Sequence, residues 1–583
     1  MIDDNQDPIK SLREEIEKNP DNFDAHKQLA YELTMSKDFD EAIKEFNKAL
    51  KIKPDDAEVH FGLGNVYAMT LDYDDAIRHF QETIKINPMH PEAHYLLGYC
   101  YILTNHADDA FKEFNEAIYI NPRYADAHDG LGIVYKFKGK YGDAIREFRE
   151  ALDIEPGSDI IHYHLGRTLL LNGLPDDAID ELKEAIRLNP RLVDAYNRIG
   201  NAYRIKGMPD EAAHIYDEAI KLDPDNPQLH YNKAKALEMK CSLNEAILEY
   251  QRVIRRNPDD PLAHSMLGDI LGIQGSLDEA IDEFRKSLSI DPNSAEVHSR
   301  LGRALEAKGE IEEAIKEYRE AIRLEEDFPE AHNNLGRALF VKGEFDKGIS
   351  ELRKAIDLDS GYLEARDNLA TALYRAGKIN ELLGLLEYTA KMFPDHAEAH
   401  NRLAIIYSML ERYGESLKEL KEVVRICPDN PQARYNLALM YEQLNSPDEA
   451  IRELREAIKL KPGYLEAHYD LGLLYVYLER IDDAVKEFKE CIRLLPLYAK
   501  AHDKLGVCYF KKGMYADAAK EFRQAIDIDP GMVKAHFNLG VTLATTGDME
   551  SGLMELSEAL RIDPDFEEAR EKMEEIRGKI GAT

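Results

Sequence analysis

Positive charge is what this sequence is short of. Its 75 lysines and arginines face 111 aspartates and glutamates, a formal net charge of −36 over 583 residues. A surface of that sign repels phosphate backbones and anionic lipid headgroups, which excludes nucleic acid and membrane as general partners. Long apolar runs are missing as well. No segment approaches 18 consecutive apolar residues, and the opening MIDDNQDPIKSLREEIEKNP has neither a basic nor an apolar targeting region. The expected location is therefore cytoplasmic. Cysteine is scarce: Cys100, Cys241, Cys427, Cys491 and Cys508 lie far apart and form no C-x2-C pair. An odd count without metal spacing points to a reducing compartment and away from a disulfide framework.

What the sequence has is a period. Pro20, Pro54, Pro88, Pro122, Pro156, Pro190, Pro224, Pro258 and Pro292 stand 34 residues apart, and the same phase resumes from Pro394 to Pro564 after Glu326 and Ser360. With this proline as position 32, sixteen units run from 23–56 to 533–566, preceded by a half-unit (1–22) and followed by a capping helix (567–583). A repeat array buries its core only between neighbours, so its ends need such caps. Ala569, Met573 and Ile576 supply the apolar side of the last one. Position 8 is always Gly or Ala, position 20 is Ala in twelve units, and position 15 is Gly or Asn in eleven, as a left-handed helix end requires. Within one unit, Leu97, Tyr101, Phe114, Ala117 and Ile118 recur at helical spacing, and acidic pairs such as Asp108-Asp109 open the second helix.

Leu97, Gly98, Tyr101, Ala110, Phe114, Ala117 and Pro122 together resemble the tetratricopeptide repeat family over essentially the whole chain. The resemblance implies an all-α, right-handed α-solenoid, a superhelix of antiparallel helix pairs whose first helices line an inner groove. It also implies a protein that binds other proteins.

Histidines test whether any chemistry hides in the pattern. His90 and His94 form an H-x3-H spacing with Cys100 nearby, which is a spacing zinc ligands use. Yet His94 is position 4 of its unit, and thirteen of the nineteen histidines hold that position, with Tyr196, Arg366 and Arg434 in the others. The expectation is a histidine that packs and hydrogen-bonds at each repeat junction, with no metal and no cofactor. His162 and His164 read the same way. No nucleophile stands beside a base outside the repeat, so no enzymatic activity is expected.

Binding residues are then sought among first-helix positions 2, 5, 6, 9, 12 and 13, which the resemblance places on the groove. The first four units present Phe61, Met69, Tyr95, Tyr99, Ile133 and Phe137, suited to apolar anchors. Units five to ten present Arg167, Asn197, Arg198, Asn201, Arg204, Asn232, Lys235, Arg300, Arg303, Asn333, Asn334 and Arg337, a local reversal of sign in an acidic chain, and Asn368 follows at position 6 of the next unit. Such a lining suits an acidic or carboxylate-ended protein segment. The carboxylate clamp of co-chaperone repeats is matched only in part, by Asn201 and Asn232, since Leu262 and Met266 occupy its remaining places. The position-6 asparagines are similar to the ladder in the solenoid of protein O-GlcNAc transferase, interrupted here by Arg198, Arg300, Arg402, Asp470 and Lys504, and no transferase domain accompanies them.

Between 326 and 416 the pattern is diluted. Glu326 and Ser360 replace proline, and Gly348, Leu382 and Ser416 replace alanine, which predicts a looser joint. Leu382, Leu383, Leu385 and Leu386 predict an outer apolar strip for a partner or a second copy of the chain. The function these features suggest is a scaffold or adaptor. The alternatives are a specificity subunit of a separately encoded glycosyltransferase or protease, and a self-assembling scaffold.

Overall fold

A computed structural model describes residues 8–581; residues 1–7 of the leading half-unit and 582–583 of the capping helix lie outside them. The described residues form 34 helices and no strand. They divide into two compact units, one ending at Leu324 and the other starting at Glu325. The first holds a leading helix, Pro8–Lys18, and nine helix pairs from Phe23–Met35 with Phe39–Ile52 to Ala295–Lys308 with Ile311–Leu324. The second holds seven pairs from Pro329–Lys342 with Phe345–Leu358 to Val533–Thr545 with Met549–Ile562, then the helix Glu567–Gly581.

Local chemistry explains where each helix starts and stops. Asp38 and Asp72 cap second helices by accepting from Glu41 N and Asp75 N, and Ser158 and Asp260 cap first helices in the same way. Every position 15 turns left-handed, with φ between 53° at Asn445 and 96° at Gly547. Nine of these are glycine; Lys37, Leu71, Cys241, Glu411 and Glu479 make the same turn carrying a Cβ, each at a cost of about 1 kcal/mol.

The core follows the repeat. In the pair Ala125–Phe137 and Tyr141–Ile154, Leu131, Val134, Ala144, Phe148 and Ala151 are buried. Position 8 must be small because the position-24 ring lies on it: a Cβ on Gly132 would stand 2.6 Å from Phe148. In the second unit's final pair and closing helix, Leu556, Ala559, Ala569, Met573 and Ile576 form one buried cluster. Ile9, Leu12 and Ile16 of the leading helix pack on the core of the first pair.

Between residues 326 and 416 two local features differ from expectation. Gly348 does not loosen its pair. A Cβ there would sit 2.7 Å from the Gly336 carbonyl, so the glycine draws the two backbones closer together. Losing proline at 326 and 360 also leaves the junction bond in place, because the Glu326 and Ser360 carbonyls accept from His332 Nε2 (3.2 Å) and Arg366 Nη2 (2.9 Å). Ser416 Oγ donates to the Ala404 carbonyl at 2.7 Å, tying its two helices together. The four-leucine outer strip is not formed either. Leu382 and Leu386 occupy positions 20 and 24 and are buried, while Leu383 and Leu385 are half-buried against the same core.

Candidate interaction face on the first helices

The histidine at position 4 joins three segments. His128 Nδ1 lies 2.9 Å from Glu147 of its own second helix, and Nε2 lies 3.2 Å from the Pro122 carbonyl that closes the preceding repeat. The same pair of contacts recurs at His26, His94, His162, His230, His264, His298, His400, His468, His502 and His536. His332 does the same with Glu351 and the Glu326 carbonyl. A carboxylate and a carbonyl are both acceptors, so the ring serves them best as an imidazolium donating from both nitrogens. The hydrogen bond donated to the carboxylate raises the pKa of His128, His230, His298 and His502; at His94 and His468 it does so against burial. Both nitrogens of His94 are therefore committed to protein, and Cys100 is buried with its thiol pushed up to about 11 by desolvation. Among the described residues no three His, Cys, Asp or Glu side chains gather as metal ligands would.

The partner at position 23 changes with the slot. Where arginine replaces histidine at 434 it pairs with Glu453 at 2.9 Å. Arg366 has Leu385 at that place, and its guanidinium instead stacks near Tyr388 and Phe393. In the second repeat, His79 takes the place of glutamate against His60, and burial followed by His60 pushes it down to about 4.

Two spacings join neighbouring first helices. Position 5 meets position 6 of the next repeat, 35 residues on: Asn232 Nδ2 donates to Asn197 Oδ1 at 2.7 Å, Asn368 Nδ2 to Asn333 Oδ1 at 2.9 Å, and His164 pairs with Asp129 at 2.8 Å. Position 9 meets position 6 of the next repeat, 31 residues on: Arg300 reaches Asp269 at 2.5 Å and Arg402 reaches Thr371 at 2.9 Å.

These rungs decide which of the sequence-selected residues face outward unengaged. Asn232, Asn333 and Asn334 are buried, and Asn232 also accepts from Gln228 while Asn333 donates to Tyr362 and Glu364. Of the position-6 amides, those of Asn232, Asn368 and Asn538 hold repeat to repeat. Arg300 is neutralised by Asp269 and Glu296 and so adds no free cation. Arg337 lies 3.7 Å from Glu364. Asn201 accepts from Arg204 and from the Tyr216 hydroxyl, and Lys235 lies over the Tyr231 ring at 4.7 Å. Arg303 is exposed. Among the aromatics, Phe61 packs on His90 (4.6 Å between ring centres) and Tyr95 on Tyr124 (5.3 Å), which leaves Tyr99 the exposed one.

Arg167 and Arg198 are different. They are linked by the 31-residue step that elsewhere joins Arg300 to Asp269, and the same step back from Arg167 reaches Lys136, which sequence reading passed over. Three half-buried cations from repeats 125–158, 159–192 and 193–226 thus follow one diagonal, and none is in a salt bridge. Burial, then Arg167, pushes the Lys136 amine down to about 8 against the opposing charge of Asp129, and Arg198 adds to the shift; the amine lies 5.4 Å from the centre of the Phe137 ring. Beside them Phe137, Leu171 and Ile205, at position 13 of the first helices of repeats four to six, are exposed.

Profiles of the repeat match this chain. Those described as TPR repeat cover residues 30–70, 268–309 and 302–341. Those described as tetratricopeptide repeat cover 72–132, 138–198, 204–270, 329–362, 395–463, 469–533 and 509–576. A search of curated proteins found no match. Among solved structures the chain is similar to yeast Tom70, at 18% identity over 67% of this chain and 96% of that one, with a TM-score of 0.36. It is also similar to YrrB, described as a TPR protein with an unusual peptide-binding site, at 21% identity over 32% and 96% with a TM-score of 0.29. A third is the APC/C hetero-tetramer Cut9-Hcn1, at 15% identity over 90% and 96% with a TM-score of 0.33. With matched segments recurring from residue 30 to residue 576 on a tandem array of helix pairs, the chain belongs to the tetratricopeptide repeat family.

Proposed function

We propose that this chain is a non-enzymatic protein-interaction scaffold that receives an acidic segment of a partner protein on the first-helix face of repeats four to six. The observation that carries this reading is the diagonal of Lys136, Arg167 and Arg198, three cations without acid partners in a chain of net charge −36. Like charges held together and partly out of water repel one another, and a ligand carboxylate relieves that repulsion. Arginine's planar fork adds bidentate geometry to the attraction. Exposed Phe137, Leu171 and Ile205 supply apolar contact along the same repeats, so the preferred segment alternates acidic and large apolar residues.

The test is fluorescence anisotropy with a labelled peptide alternating glutamate with phenylalanine and leucine, made with a free and with an amidated C-terminus. Changing Lys136, Arg167 and Arg198 together to alanine is expected to weaken binding at least about tenfold and to flatten its salt dependence. Loss of affinity on amidation assigns the site to a chain end. Equal affinity of wild type and triple variant contradicts the reading.

A further inference from the structure

The second unit contains a cavity of about 640 Å³ between the first helices Ala397–Met409 and Pro431–Gln443 and the second helix Tyr413–Ile426. Its origin is legible in the repeat. Position 24, a phenylalanine at 148 and 488, is Leu420 here, so less side chain fills the space under the first helices. Ile405, Met409, Leu439 and Met440 give it apolar walls.

One wall carries charge. Glu442 lines the cavity, and its Oε1 is shut off from solvent without a hydrogen-bond partner. Its surroundings are acidic rather than basic. Burial, and then the carboxylate of Asp470, push the Glu442 carboxyl up to about 7. Asp470 itself accepts the Tyr435 hydroxyl at 2.7 Å and gives Glu442 no counter-charge.

We infer that this cavity binds a cationic side chain, arginine or lysine, presented by a partner segment. Such a side chain has the two parts the cavity lacks: an aliphatic stem to lie against Met409, Met440 and Leu439, and a cation for the Glu442 carboxylate. An uncharged apolar side chain would instead bury the carboxylate further without compensation. The site is independent of the cationic diagonal in the first unit, and either can fail without the other.

The experiment uses the full chain labelled at methionine ε-methyl groups, titrated with N-acetyl-arginine-N-methylamide and, separately, with its uncharged isostere N-acetyl-citrulline-N-methylamide. The arginine compound is expected to shift the Met409 and Met440 methyl signals in a saturable way while the citrulline compound leaves them in place. Glu442→Gln is expected to weaken the arginine response at least about tenfold. Ile405→Trp, at a half-exposed residue of the cavity wall, blocks entry while keeping the carboxylate, and is expected to abolish the response with an unchanged circular dichroism spectrum. Equal responses to the two compounds, no response to arginine, or an undiminished response in Glu442→Gln overturns the inference.

Discussion

Repeats four to six and repeats twelve and thirteen carry opposite charges at the same position of the same scaffold. Position 12 is Lys136 in the first region and Glu442 in the second; both are half-buried and neither has an ion-pair partner. Burial and like-charged neighbours push the lysine down to about 8 and the glutamate up to about 7, toward neutrality from opposite sides. Elsewhere the molecule resolves the same geometry internally, as where Arg300 meets Asp269. The repeat thus fixes backbone and core, and under the two proposals a lone half-buried charge on the first-helix face marks where a ligand of opposite sign would bind.

The largest expected effect probes the cores beneath the two regions. Phe148→Ala should cost about 3–5 kcal/mol, whereas Leu420→Ala, beside a cavity already present, should cost nearer about 2 kcal/mol. Hydrogen exchange of the buried amides in each helix pair reads the difference, and equal losses would break the contrast in packing. Next come the charges. Glu442→Gln and Lys136→Met should each stabilise the unliganded chain by about 1 kcal/mol in urea unfolding, because each removes an uncompensated half-buried charge. Destabilisation by either would mean that the charge is already satisfied within the chain.

A smaller effect, spread over many repeats, comes from the histidines. Where the folded pKa stands above the unfolded value of about 6.5, the pairing contributes fully below that pH and is lost as pH rises through the folded value. His94, His128, His230 and His298 belong to the first unit, and His468 and His502 to the second. The melting temperature should therefore fall as pH is raised above about 6.5, with exchange protection lost more in the first unit. A melting temperature that climbs over that range contradicts the imidazolium assignment. The smallest effect is a gain: Leu71→Gly, relieving a Cβ at φ 64°, should add about 0.5–1 kcal/mol in thermal unfolding.

The period, the helix boundaries and the histidine slot are readable from the sequence because each repeats at a fixed 34-residue interval. Glu147 and its equivalents recur at the same interval, at position 23 in thirteen units, but their pairing with the histidines escapes such a reading. They lie 19 residues from their histidines, on another helix, and look like ordinary solvated charges. The face residues were legible as a column but not as a network. Asn232, Asn333 and Arg300 sit at face positions, yet steps of 31 and 35 residues spend them on neighbouring repeats. The same steps, applied to Lys136, Arg167 and Arg198, find no acid to meet, and that distinction needs three dimensions. Leu382 and Leu386 misled for a related reason: in that repeat the core positions 20 and 24 are themselves leucine.

The most direct test of the central claim is a crossed binding measurement. Two peptides, one alternating glutamate and one alternating arginine with the same apolar residues, are titrated against the triple alanine variant at 136, 167 and 198 and against Glu442→Gln. The expected result is that the triple variant loses only the acidic peptide and Glu442→Gln only the basic one. Loss of both peptides by one variant, or of neither by either, would contradict it.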